Sequence, residues 1–376
     1  MKTVRLLFLV IIVFSQTIFS QVDTVKVDGI ITTVQQKYVP DKRVGVFQVK
    51  SELVGEKLTL NGETDNKAAL NELLTELQIN QIAFENNILV LPDTALKGNH
   101  YAVVSLSVAN MRSNNGHSHE MVHQVLLGTE LKVLKRRGGF YYIQSPDQYL
   151  GWVESGSLKV YTDASISEWR NCKKIIYTDL FGLVYSQKKI DSEPIMDIVA
   201  GSVIKVISKE GSWYKVENPK GVVGYIPIDK AEDKDSWDKS RKFTFDNLFK
   251  TAKKFVGFPY LWGGTSSKGL DCSGFIKTVF YLNGMTLPRD ASQQVFIGEE
   301  IIPEEGYKNV KKGDLLFFGS PDKDGKERVT HVAMYIGDLN FIHCASYVQI
   351  ESLDPNSPVY DRYHSERLVR IKRHIK

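Results

Sequence analysis

Pro259 to Phe275 read PYLWGGTSSKGLDCSGF. Gly263, Gly264 and Gly269 bracket a loop, and Cys272 closes it. The run that follows, CSGFIKTVFYLNG, is apolar at 275, 276, 279, 280 and 282, with Gly284 as a stop signal. That spacing predicts a helix with Cys272 in or beside its first turn. A helix start carries unsatisfied N–H groups and about half a positive charge. It favours thiolate over thiol and lowers such a cysteine below the free value of about 8.5. The same N–H groups can hold an oxyanion when sulfur attacks an amide. Asp271 works the other way, because a carboxylate beside the sulfur disfavours the thiolate. The base must be a histidine.

His331 and His343 lie in RVTHVAMYIGD and NFIHCAS, two predicted strands joined around residues 337–340. Register decides whether the rings meet. A two-residue loop of Asp338-Leu339 would pair Met334 with His343 and set the histidines on opposite faces. A three-residue loop, 337–339, pairs Ala333 with His343 and makes His331 a same-face diagonal neighbour, roughly 7–8 Å away. We expect the odd-length loop. Cys344 then points to the other face and packs. Alone, two strand histidines are ordinary; beside a helix-start cysteine they read as an enzyme.

The chain has 376 residues, enough for two to four domains. It is 42% hydrophobic and 24% charged, the balance of a globular protein. Its net charge of +4 includes Lys2 and Arg5 and lacks the basic concentration that nucleic-acid binding needs. Those two charges precede an apolar run, Leu6 to Phe14, and then the polar SQTIFS. This is the order of a secretory signal, too short to span a bilayer, with cleavage expected after Ser20. No cysteine lies near Gln21, so no lipid or stable membrane anchor is expected. The expectation is an exported monomer of a bacterial periplasm, or a secreted one. Cys172, Cys272 and Cys344 are an odd count; Cys172 and Cys344 can pair while Cys272 stays free, but nothing requires it.

Residues 21–98 read as a small α+β module without recognisable chemistry. Strands are expected at 44–49 and 57–60, with a turn at Asn61-Gly62. Asp65 is expected to cap a helix carrying Ala69, Leu70, Leu73, Leu74 and Leu77, and a hairpin to turn at Asn86-Asn87. An ungapped repeat follows. GTELKVLKRRGGFYYIQSPDQYLGWV from Gly128 aligns with GSVIKVISKEGSWYKVENPKGVVGYI from Gly201. Each copy is a set of short strands punctuated by glycines, hence a small β-barrel. The copies differ at Tyr149, whose equivalent is Val222. HSHEMVH, with His117, His119 and His123, has a spacing that fits no familiar metal site, so no metal and no cofactor is expected. A charged linker ends near Lys242, and the last domain opens with a helix carrying Phe245, Leu248, Phe249, Ala252 and Phe255.

The apolar strand, Gly-x-aromatic-Tyr and Gly-aromatic-apolar pattern of the repeat resembles bacterial SH3-like domains, at 100–160 and 172–230. YLWGG, DCSGF, LPRDASQQ, GDLLFF, HVAMYIGD and FIHCAS, in order across 243–376, resemble the NlpC family of cell-wall cysteine peptidases. The resemblance implies a multidomain chain with a papain-like α+β catalytic domain. It implies Cys272 as nucleophile, His331 as general base and then acid, His343 orienting His331, and Tyr260 donating near the oxyanion.

SH3-like domains ahead of this peptidase resemble the γ-D-glutamyl-L-diamino acid endopeptidases of the dipeptidyl-peptidase VI type. These cut murein peptides after L-Ala-γ-D-Glu. The resemblance then gives Glu120 and Tyr149 to a clamp on a free N-terminal ammonium, with Asp290 as third partner. Trp262, Asp271 and Ser273 would line the groove, and Arg289 or Ser292 would meet the D-Glu α-carboxylate. Two rivals stand beside this reading: a broad endopeptidase of intact wall, and a wall-binding adaptor with a vestigial peptidase fold. Acyl transfer by the same triad is a further option, since water and an acceptor compete for one thioester.

Overall fold

The structure is a computed structural model describing residues 24–55 and 57–375. The expected signal segment lies outside the described residues. Among them no helix is long and apolar enough to cross a membrane. The chain forms two compact units. One holds residues up to Pro40 together with Phe47–Leu89; the other holds Asp41–Val46 and Val90–Lys376.

In the smaller unit, helices Thr24–Tyr38 and Lys67–Ile79 share a core with a three-stranded sheet of Phe47–Val54, Lys57–Thr64 and Phe84–Val90. The first helix was not foreseen. Its β-branched composition favours strand, but Val27, Ile31 and Val34 form a buried stripe at helical spacing, and packing wins. The cap of the second helix is Asn66, whose side chain accepts from the Ala69 N–H, and not Asp65. Asn61-Gly62 and Asn86-Asn87 both lie inside strands instead of turning them. The first two strands pair instead from Phe47 with Thr64 to Val54 with Lys57.

The larger unit begins with two barrels of the same strand order. The first runs Met121–Leu126, Val108–Arg112, Leu150–Glu154, Phe140–Gln144, Glu130–Arg137, Tyr101–Val104, Leu158–Tyr161. The second runs Pro194–Val199, Phe181–Tyr185, Val223–Pro227, Trp213–Glu217, Val203–Glu210, Lys174–Tyr177, Ala231–Asp233. Even the β-bulges coincide, between Val133 and Lys135 and between Val206 and Ser208. The charged linker is ordered: Ala231–Asp233 closes the second barrel, and Lys234–Ser240 is a helix that buries Trp237.

The last domain sets one helix against a sheet. Helix Cys272–Tyr281 buries Phe275, Ile276, Val279 and Phe280 against Val332, Met334, Ile342 and Cys344. The sheet order is Glu299–Glu300, Leu368–Arg373, Leu315–Pro321, Glu327–Gly337, Asn340–Cys344, Val348–Ser352. This α+β arrangement fixes a helix start beside two central strands.

Register is where expectation and structure differ in cause. The hairpin loop is the two-residue Asp338-Leu339, both with positive φ, and Gly337 pairs with Asn340. A bulge between Tyr335 and Gly337 then shifts the pairing, so that Met334 faces Ile342. Continuing that register sets Ala333 opposite His343. The pairing expected of a three-residue loop is produced by a tight turn plus one extra residue.

Candidate active site

Asp271 is the N-cap of the catalytic helix, its Oδ1 accepting from the Gly274 N–H at 2.7 Å. Its Oδ2 accepts from the Gly263 N–H at 2.9 Å. The Arg289 guanidinium is bidentate on it, at 2.5 and 3.2 Å, and also donates to Ser273 Oγ at 3.0 Å. Arg289 is 2% exposed. One buried carboxylate thus joins the glycine loop, the helix start and a buried arginine. A Cβ on Gly274 would sit 1.9 Å from the Gly264 carbonyl oxygen, so only glycine lets the loop pass this close. Gly263, at φ +77°, would collide in the same way with the Met121 carbonyl of the first barrel.

The barrel grips this loop. Thr265 donates from Oγ1 to the Gln124 carbonyl at 2.8 Å, and its N–H donates to Gln124 Oε1 at 3.1 Å. Trp262 Nε1 donates to Glu120 at 2.7 Å. His123 is buried between Asp147, at 3.2 Å, and Thr265 Oγ1, at 3.2 Å. It serves the domain contact.

Cys272 is 8% exposed. The Ser273 and Val332 N–H groups reach its sulfur and favour the thiolate, as a helix start should. Burial outweighs them, with Asp271 adding to it, and the thiol is pushed up to about 12. The low value expected from the helix start does not hold at rest, because the sulfur is withdrawn from water. His331 is held well below its ordinary 6.5 by burial, then by His343 and His364. Burial thus favours a thiol at Cys272 and a neutral imidazole at His331.

His331 Nε2 lies 2.9 Å from His343 Nδ1. This leaves His331 Nδ1 as the only ring nitrogen free for the cysteine. For Nδ1 to accept, Nε2 must carry the hydrogen and donate to His343. His343 is fully buried, and its Nε2 stands 2.6 Å from Glu351 Oε2. The two are close but misaligned, so the ring nitrogen gains no hydrogen bond there. A third ring, His364, stacks on His331 with centroids 4.3 Å apart and is held by Asp361. Cys344 points away, its thiol on the Leu270 carbonyl at 3.2 Å, and all three cysteines are free.

A cavity of ≈570 Å³ opens beside Cys272. Tyr260, Glu120, Tyr149, Trp262, Asp271, Ser273, Arg289, Asp290 and Ser292 all line it with Cys272, so these groups expected from sequence converge on one space, whereas His331 and His343 are not among its lining residues. Their roles divide. Burial raises the Tyr260 hydroxyl, followed by the neighbouring Cys272 and Asp271, which keeps it a donor. Asp271 and Ser273 are saturated by Arg289 and the loop. Arg289 turns both amino groups to them, so it forms wall and has no free fork for a substrate carboxylate.

Arg43 was not foreseen. It donates from Nη1 to Asp290 Oδ2 at 2.8 Å and to Ser292 Oγ at 2.9 Å, and is clasped by Asp41. Tyr149 donates to the same Asp290 oxygen at 3.0 Å. Of the carboxylates lining the cavity, Asp271 and Asp290 are ion-paired with Arg289 and Arg43, whereas Glu120 has no ion pair among the described residues.

Burial lowers His123, His331, His364 and His374 alike. Between the lowered values and 6.5 the unfolded chain binds more protons than the folded one. Their contribution to stability is complete above about pH 6.5 and is lost as pH falls through the folded values. Melting curves are expected to show a lower Tm at pH 5 than at pH 7.5. A flat profile would contradict the burial of these rings.

A cysteine at a helix start, two histidines in line on an antiparallel sheet, and a tyrosine beside the sulfur define a papain-like cysteine-peptidase centre. Residues 257–373 match the NlpC/P60 family, and residues 107–159 and 183–229 match the bacterial SH3 domain. The chain thus carries an NlpC/P60 domain behind two bacterial SH3 domains. Dipeptidyl-peptidase 6 of Lysinibacillus sphaericus is 26% identical over 268 residues, 69% of this chain and 94% of the relative. Gamma-D-glutamyl-L-lysine dipeptidyl-peptidase of Bacillus cereus is 29% identical over 246 residues, 63% of this chain and 71% of the relative. The crystal structure of an NlpC/P60 family protein from Bacillus cereus superposes with a TM-score of 0.61 at 25% identity, covering 73% of this chain and 99% of that one.

Proposed function

We propose that the protein hydrolyses the γ-D-glutamyl-L-diamino acid bond of murein stem peptides with a free N-terminal L-Ala, releasing L-Ala-γ-D-Glu. The observation that carries this reading is Glu120, a carboxylate without an ion pair among the described residues, facing the cavity that holds Cys272. An N-terminal ammonium supplies the missing charge. Tyr149 already donates its proton to Asp290, so its oxygen is left to accept from that ammonium. The name of the Bacillus cereus relative, a gamma-D-glutamyl-L-lysine dipeptidyl-peptidase, supports the same kind of bond.

In the reaction, Cys272 Sγ attacks the γ-carbonyl carbon while His331 takes the thiol proton. The oxyanion meets the Cys272 N–H, free at the helix start, and the Tyr260 hydroxyl. His331 returns the proton to the leaving amine, and water cleaves the thioester. His343 holds the His331 ring throughout. A site that requires a free ammonium excludes the polymer, whose L-Ala is amide-bonded to muramic acid. The charged, apolar and polar order of residues 1–20 supports export, and we place the protein in the periplasm or outside the cell.

Glu120→Gln is expected to raise KM for the free peptide about 10–100-fold with kcat nearly unchanged, the pattern of lost uniform binding. An unchanged KM would favour the broad endopeptidase, in which the barrels only bind wall. Arg43→Met is expected to act in the opposite direction. It leaves Asp290 as a second anion, so KM for the free-amine substrate should fall by roughly 3–10-fold, since a charge pair at a partly exposed site is worth about 1 kcal/mol. Steady-state kinetics on both variants checks the pair; a rise in KM for Arg43→Met would place the substrate carboxylate, not the ammonium, at that end.

A further inference from the structure

Beside the triad, at the Nε2 edge of His343, four side chains converge. His343, Glu351, Asp361 and His364 each bring one donor atom within 4.8 Å of the others. Two observations set this cluster apart from a chance group. First, His343 is fully buried, yet its Nε2, 2.6 Å from Glu351 Oε2, makes no aligned hydrogen bond among the described residues. Second, the carboxylates of Glu351 and Asp361 bring oxygens within 4.8 Å of each other. Two carboxylates that close need a proton or a cation between them. Two imidazoles and two carboxylates are a donor set that suits zinc and its neighbours.

We propose that His343 Nε2, Glu351, Asp361 and His364 form a site for a divalent transition-metal ion, and that filling it switches the peptidase off. The donors are unevenly spaced, from 2.6 Å between His343 Nε2 and Glu351 Oε2 to as much as 4.8 Å, whereas ligand atoms in a closed tetrahedral site stand roughly 3.3–3.6 Å from one another. Glu351 is the adjustable member, with a side chain 25% exposed, and it also opens the way in from solvent. No hydrogen bond of the triad has to break. The alternative grouping of His331, His343 and His364 lacks carboxylates and would take the catalytic ring itself.

The switch follows from the tautomers. A metal on His343 Nε2 takes the lone pair there, so that ring's single hydrogen moves from Nε2 to Nδ1, and no proton is lost overall. His343 Nδ1 then donates to His331 Nε2 across the 2.9 Å contact. His331 is forced to carry its hydrogen on Nδ1, the nitrogen that has to accept from Cys272. The base is blocked without any movement of the nucleophile. The binding half of the proposal stands on the cluster alone, while the switching half rests on the triad reading.

Zinc is the probe. Titration calorimetry of the untagged full chain carrying Cys272→Ala separates this site from zinc on the nucleophile, and needs no activity. One zinc per chain is expected. Adding His364→Gln or Glu351→Gln to that variant is expected to weaken binding about 100-fold; two variants are used in case one folds poorly. In the wild-type protein one equivalent of zinc should abolish peptide cleavage and a chelator should restore it. Loss of binding in Cys272→Ala alone, or binding indifferent to both second changes, overturns the site. Tight zinc binding with full activity overturns the switch and leaves the site. A peptide that is never cleaved, with zinc binding intact, counts against the proposed substrate and not against the metal.

Discussion

Cys272→Ala is expected to lower turnover by on the order of 10⁴-fold or more, and His331→Ala to do nearly as much. The reason is that the two act as one device. A buried thiol pushed up to about 12 is inert until a base takes its proton, and a base held neutral by burial has nothing to do without the thiol. The double variant should therefore be hardly slower than either single one. Additive losses would mean that sulfur and imidazole work independently and would contradict this account. Cys272→Ala should leave folding intact, since it removes one sulfur from a wall of the cavity. A Tm close to that of the wild type is the control.

Asp271→Ala should produce the largest loss of stability of any single change in the catalytic domain. It removes the helix cap, strands the Gly263 and Gly274 N–H groups, and leaves Arg289 charged at 2% exposure without its partner. Breaking a buried pair from one side costs about 3–5 kcal/mol. For a unit of this size that is a fall in Tm of roughly 6–15 °C. Adding Arg289→Met to Asp271→Ala should recover part of it, because an absent pair is cheaper than a broken one. No recovery would show that capping and loop closure, not the stranded charge, carry the loss. Activity should collapse in both, since the N–H groups that meet the oxyanion depend on this helix start.

The nucleophile was legible because its signals are local: a glycine loop, a cap and an apolar stripe within a few turns of chain. The repeat was legible for a similar reason, since two copies with the same spacing report the same strands. His331 and His343 were legible as a pair, but the cause of their register was not. A bulge at Ile336 leaves no mark in composition, and counting loop residues alone reaches the right pairing by the wrong route.

Burial of the sulfur was invisible as well. A helix start predicts a low thiol value, whereas the strand that covers Cys272 comes from sixty residues downstream. Arg43 lies in a segment that reads as part of the first module, yet belongs with the larger unit and reaches Asp290. Glu351, Asp361 and His364 are scattered over a strand and a short helix, each unremarkable alone. An Asp three residues before a His on a short helix is the faint signal that exists, since Asp361 both caps that helix and holds the ring of His364. In the small unit, asparagines that look like turns sit inside strands, because neighbours in the sheet outweigh local propensity.

The measurement that bears most directly on the central claim is mass spectrometry of two peptides incubated with the protein. One is L-Ala-γ-D-Glu-diaminopimelate with a free N-terminus; the other is the same peptide acetylated. The account predicts release of L-Ala-γ-D-Glu from the free peptide only, and none in Cys272→Ala. Equal cleavage of both would contradict the ammonium requirement and make the enzyme a general wall endopeptidase.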